Sequence, residues 1–289
     1  MIYLIAAIVL NVLISSIFKV FPRYKINTLQ AIVANYFVCV ATGCVFMGAN
    51  PFTPEVGHQG WFPVAMGMGV WFFLLFNLIG YCTRIDGITT TTIANKLSLV
   101  IPVLFSLILY HEHTGFLKIT GILLAFPAIY LTASVKGEDN RPQNLLWPGL
   151  LFIGGGILDT MMNYVQRQLI PTPADQALFT LFCFAAAGII GTILVFFFTL
   201  SKKIAFEWRN ILAGICIGIP NYFSIYYYIR ALHSGVFQSS ATIPVMNIGI
   251  VVTAAFTAIL VFREKANTMR ILGLVLSIIA ILLIATGDK

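Results

Sequence analysis

Apolar runs of roughly 20 residues, the length a helix needs to cross a bilayer, alternate with short polar breaks along the whole chain. They occupy Ile2–Phe21, Asn27–Ala49, Trp61–Cys82, Thr89–Tyr110 and Gly115–Ser134. They continue at Leu146–Gln166, Ala177–Leu200, Ile211–Ala231, Val236–Phe262 and Arg270–Thr286. Between them lie Pro22–Lys25, Pro51–Gly60, Arg84–Gly87, His111–Thr114, Lys136–Gln143, Ile170–Asp175, Ser201–Asn210, His233–Gly235 and Arg263–Asn267. The runs are continuous, whereas membrane strands would alternate apolar and polar positions. The pattern predicts an all-α integral membrane fold of ten transmembrane helices. No connection is long enough to hold a soluble domain.

Composition sharpens this. Of 289 residues, 59% are hydrophobic and 9% charged, against about 25% charged in soluble domains, so lipid is the expected solvent. The net charge of +7 does not point to nucleic acid, because no basic cluster or soluble groove accompanies it. Cys39, Cys44, Cys82, Cys183 and Cys216 lie in or beside apolar runs without CxxC spacing. They read as small hydrophobes rather than as disulfides or metal ligands. The first run has no basic flank and no small-residue cleavage pattern, so it reads as a span rather than a removed signal. The expected location is the plasma membrane, the inner membrane of a bacterium, with multiple passes.

The chain also repeats itself. Ser98-Leu-Val-Ile-Pro102-Val103 returns as Ser240-Ala-Thr-Ile-Pro244-Val245, Glu112 returns as Glu264, and Lys118-Ile-Thr-Gly121 as Arg270-Ile-Leu-Gly273. Two copies are expected, 1–137 and 138–289. With five spans each, the second is inverted, an arrangement common in secondary transporters, where solute binds near the midplane. On these residues the chain resembles the drug/metabolite transporter superfamily, in its ten-helix EamA-type branch. The resemblance implies two inverted five-helix repeats around a central cavity, lined mainly by helices one, three, four, six, eight and nine. It also implies transport of amino acids, nucleosides, sugars or other metabolites.

Orientation is read from loop charge. Twelve of the seventeen Lys and Arg fall in odd-numbered loops and four in even-numbered loops and termini, Lys96 being the last. The positive-inside rule then places both termini outside the cytoplasm; many members of the resembling family are described the other way round.

Charge at membrane depth costs about 2.5–3.5 kcal/mol on insertion scales, so it marks a partner or a role. Lys96, preceded by Asn95, falls inside the fourth run, and Asp159 falls mid-way along the sixth. Asp159, Asn163 and Gln166 are spaced i, i+4, i+7 and share a face, one turn beyond Gly154-Gly155-Gly156. Lys96 suits an anionic solute group and Asp159 a cationic group or a proton; a buried ion pair between them is the structural alternative. Asn77 and Tyr81 of the third run, Asn221 and Tyr226 of the eighth, and Asn247 of the ninth complete the expected solute contacts. Asn11 and Asn35 fit helix–helix hydrogen bonding better. Pro102, Pro220 and Pro244 each remove a backbone donor mid-run, freeing the carbonyls of Ser98, Cys216 and Ser240. Such interruptions are tolerated where they line cavities. His111-Glu112-His113 puts its histidines on different helix faces, which argues against a metal site.

The expected function is secondary transport of a small polar metabolite by alternating access, with a proton as candidate coupling ion. The expected partners are that solute and membrane lipid, without nucleic acid, cofactor or metal. The alternative is a flippase-type transporter of a lipid-linked substrate. An intramembrane enzyme is the weakest reading, because no span interior carries a His and no HExxH or GxSxG pattern occurs.

Overall fold

The computed structural model describes residues 1–48, 51–102, 104–105, 115–133, 145–170, 172–202, 204–233, 239–264 and 267–286. Among these, regular structure is entirely helical. The α-helices are α1 (Ile2–Val20), α2 (Thr28–Met47), α3 (Phe62–Ile85), α4 (Ile88–Leu97) and α5 (Phe116–Ala133). They continue as α6 (Leu146–Gln168), α7 (Pro173–Leu200), α8 (Trp208–His233), α9 (Ser239–Leu260) and α10 (Thr268–Thr286). Among the described residues, four stretches, Ile2–Tyr24, Thr28–Met47, Phe62–Ile85 and Asp175–Leu200, are helical, long and apolar enough to cross a membrane. The chain is thus a helical protein with the span-like helices of a membrane-embedded one.

Local chemistry sets the helix ends. The Asn27 side chain accepts the Gln30 N–H at 3.2 Å, and Gly48 closes α2 in the left-handed region at φ 64°. Thr172 caps α7 by accepting the Asp175 N–H at 3.1 Å, with Pro173 in the first turn. The fourth apolar run departs from a continuous helix. α4 stops at Leu97, Ser98 and Leu99 form a turn, and helix resumes at Val100. Pro102 has no N–H to give the Ser98 carbonyl, which instead accepts from Ile101 N at 2.9 Å. Pro220, by contrast, sits within a single helix, α8. α9 likewise runs on through position 244. Glu112 and its flanking histidines lie outside the described residues.

Two compact units emerge, and they are not the two sequence repeats. The first combines residues 1–19, 81–160 and 224–289; the second combines 20–80 and 161–223. In the first, α5 and α10 pack along each other more extensively than any other described pair. Gly121 makes this approach possible, since a Cβ there would stand 2.8 Å from the Ala280 carbonyl oxygen. Ile93, Leu97, Val100, Ile122, Ala125, Phe152, Val251 and Ile281 gather around this pair. Leu4, Ala7, Val12, Ile88, Met246, Ile250 and Ala254 join α1, α4 and α9.

The second unit is held by α2, which meets both α7 and α8. Gly214 and Gly218 of α8 form a small-xxx-small face against Ala31, Ala34, Asn35 and Val38 of α2. Small residues allow backbones to approach where lipid offers no hydrophobic drive to associate. A Cβ at Gly214 would fall 2.4 Å from Ala34 Cβ and 2.5 Å from the Ala31 carbonyl oxygen. Gly214→Ala is therefore expected to cost about 1–3 kcal/mol by overpacking, read as a lower thermal midpoint in detergent. Gly67→Ala in α3, with nothing within 4 Å of the added carbon, is the neutral control.

Candidate functional site

Three of the sequence-predicted residues meet at the interruption of the fourth run, within the first unit. Lys96 sits one residue before the end of α4, half-buried, and lies within electrostatic reach of Asp159 on α6. The approach depends on the glycines of α6. A Cβ at Gly155 would stand 3.0 Å from Ser98 Oγ and 3.2 Å from Asn95 Oδ1, and one at Gly156 would stand 2.4 Å from Ile101. The glycines admit the broken segment itself, and Asp159 follows one turn further along. Fully buried Ser98 donates to the Asn95 carbonyl and reaches Asp159 Oδ2 at 3.4 Å. Tyr228 of α8 also lies within electrostatic reach of Asp159. Ser98 and Tyr228 are the neighbours that reading the sequence missed. Ser98 had a signal, four residues before Pro102 at the start of the repeated motif, but only its carbonyl drew notice.

The other predicted residues make contacts of their own. Asn77 donates to Phe73 O of its own helix at 2.8 Å. Tyr81 is exposed, its ring edge-on to Trp147 at 4.9 Å. The Tyr226 oxygen accepts from Arg230 Nε at 3.1 Å. Buried Asn221 donates to Asn35 Oδ1 at 3.2 Å, joining α8 to α2 as the helix–helix reading of Asn35 expects. Asn247 is buried in α9. Asn163 and Gln166 fall on α6, but their side chains, like that of Pro244, lie outside the described residues.

A second polar centre of the first unit surrounds Glu264, just beyond α9. Its buried carboxylate accepts the Ile88 N–H at 3.0 Å and stands 3.5 Å from both Lys19 Nζ and Arg270 Nη1. One residue therefore caps the start of α4, where the helix dipole favours negative charge. It also ties down the end of α1 and the first turn of α10. Gly87, at φ 89°, is required twice, because a Cβ there would be strained and would lie 2.8 Å from Glu264 Oε1. Beside it, burial pushes the Asp86 carboxyl up to about 6. Among the described residues, no His/Cys/Asp/Glu group is arranged to hold a metal ion.

No protein-family model matches the chain. An uncharacterized protein of Haemophilus influenzae is 28% identical, over 99% of this chain and 98% of its own length. A solved structure superposes with a TM-score of 0.59 at 14% identity, covering 96% of this chain and 95% of that one. At that identity the likeness concerns the fold alone.

Proposed function

We propose that this chain is a secondary transporter that moves a small polar metabolite across a bacterial inner membrane by alternating access. In this reading its ten helices all cross the membrane as two inverted five-helix repeats, 1–137 and 138–289, in the manner of the EamA-type drug/metabolite transporters. The termini face outward on the charge distribution. The observation that carries the proposal is the juxtaposition of Lys96 and Asp159 at a broken helix within apolar surroundings. A cation and a carboxylate at such depth need a reason to persist. The turn at Ser98 and Leu99 interrupts the helix beside them, and transporters place solute sites at discontinuous helices. Asp159 is a solvent-exposed residue of α6, which suits a group that meets solute.

The test is a thermal-shift screen of purified protein against a metabolite library, followed by uptake of the hit into proteoliposomes. Absence of any solute flux above empty liposomes removes the proposal. Coupling is tested in the same vesicles. If Asp159 is the proton site, its protonation releases Lys96 to an anionic solute, and an imposed pH gradient drives uphill accumulation. Asp159→Asn is then expected to keep solute exchange but lose the response to the gradient. Wild-type protein that only equilibrates solute would make it a facilitator, with Asp159 binding the solute's cationic group.

A further inference from the structure

The second unit carries a polar construction that the solute site does not use. The loop after α1, residues 21–27, and the loop between α7 and α8, residues 201–207, are fastened side by side. Asn210 Oδ1 accepts the Asn27 N–H at 2.9 Å, Gln30 Nε2 donates to Ala205 O at 2.8 Å, and Asn210 Nδ2 donates to Gln30 Oε1 at 2.7 Å. Gln30 and Asn210 are buried, so the pairing of the loops is built in. Residues 21–27 and 201–210, the two loops and the adjoining α8 turn, hold five basic residues, Arg23, Lys25, Lys202, Lys203 and Arg209, against one carboxylate, Glu207. Glu207 is already engaged by Arg209. Arg23, Lys25 and Lys202 are exposed.

The same end presents a rim of exposed rings. Tyr24 is 60% exposed, Phe206 54% and Trp208 74%, with the last two in edge contact at 5.8 Å. Three solvent-facing aromatic rings at one end would be costly on a surface bathed only in water. At the level of lipid headgroups the rings sit at the acyl boundary and the cations meet phosphate.

We propose that this end of the second unit is a binding site for the headgroup of an anionic phospholipid, held by Lys25, Lys202 and Arg23 from two loops with Trp208 and Phe206 against its acyl chains. The inference rests on the membrane reading but not on the solute site, whose residues belong to the first unit.

The experiment titrates the detergent-solubilised protein with short-chain phosphatidylglycerol, phosphatidylcholine of the same chain length, and glycerol 3-phosphate, following the thermal midpoint. Phosphatidylglycerol is expected to raise the midpoint saturably, and the other two to leave it in place. The double variant Lys25→Gln/Lys202→Gln, which spares the Asn27–Gln30–Asn210 network, is expected to weaken that response more than tenfold, at about fivefold per lysine. Lys25→Arg/Lys202→Arg is expected to retain it. Equal responses to the two lipids would overturn the proposal, as would a double Gln variant that titrates like wild type. Glycerol 3-phosphate matching the lipid would assign the site to a soluble phosphoester instead. A failed solute screen leaves all three outcomes readable.

Discussion

Lys96→Ala protein is expected to reach the membrane in normal amount and to melt near the wild-type temperature, yet to carry no solute in proteoliposomes. Removing an ammonium from an apolar helix eases insertion by roughly 2.5–3.5 kcal/mol on insertion scales. The loss of its attraction for Asp159 opposes that gain. The two contributions offset, so folding should change little while the group that meets an anionic solute is gone. Lys96→Arg keeps the charge but not the compact ammonium, and partial activity is expected. Wild-type flux from Lys96→Ala vesicles would show that Lys96 is structural. A large fall in midpoint for Lys96→Ala that Asp159→Asn restores in the double variant would point the same way, to a locking pair.

Glu264 behaves in the opposite sense. Glu264→Gln is expected to lower stability by about 3–5 kcal/mol, the usual cost of breaking a buried ion pair from one side. For a chain of this size that is roughly 5–15 °C in the thermal midpoint. The amide oxygen can still accept from Ile88 N, but Arg270, buried at 7% exposure, and half-buried Lys19 would keep their charges without the carboxylate. The diagnostic comparison is Lys19→Met/Glu264→Gln/Arg270→Met. Removing all the charges together is expected to recover much of the loss, because the penalty lies in charge left unpaired. A Glu264→Gln midpoint within about 1 °C of wild type would mean that the three charges are hydrated rather than buried.

Both predictions concern residues whose neighbours do not show in the sequence. Lys96 and Asp159 stand out because each is a charge inside a run otherwise free of charged residues. Glu264 drew notice only as a repeat marker, since an acidic residue at the end of an apolar run looks like ordinary loop. Its true partner, the Ile88 N–H, is 176 positions away in the chain. Asn77 is an expected solute contact on sequence; in the fold its amide donates to the Phe73 carbonyl one turn back, a local option open to any Asn in a helix.

The sequence by itself determined the helical, membrane-like character of the chain and the places of most described helices to within a few residues. Apolar length, prolines, glycines and capping residues act locally, and the cost of an unpaired backbone group in hydrocarbon leaves no other solution. It also marked three prolines that remove a backbone donor, of which Pro102 follows a break in the helix and Pro220 sits within a single one. Which helices touch was decided only in three dimensions. In a helix apolar on every side, no stripe distinguishes the face that meets protein from the face that meets lipid. The choice then falls to close packing at Gly121, Gly155 and Gly214. There the absence of a single carbon lets a neighbouring segment come close, by its backbone at Gly121 and Gly214 and by the Ser98 and Asn95 side chains at Gly155.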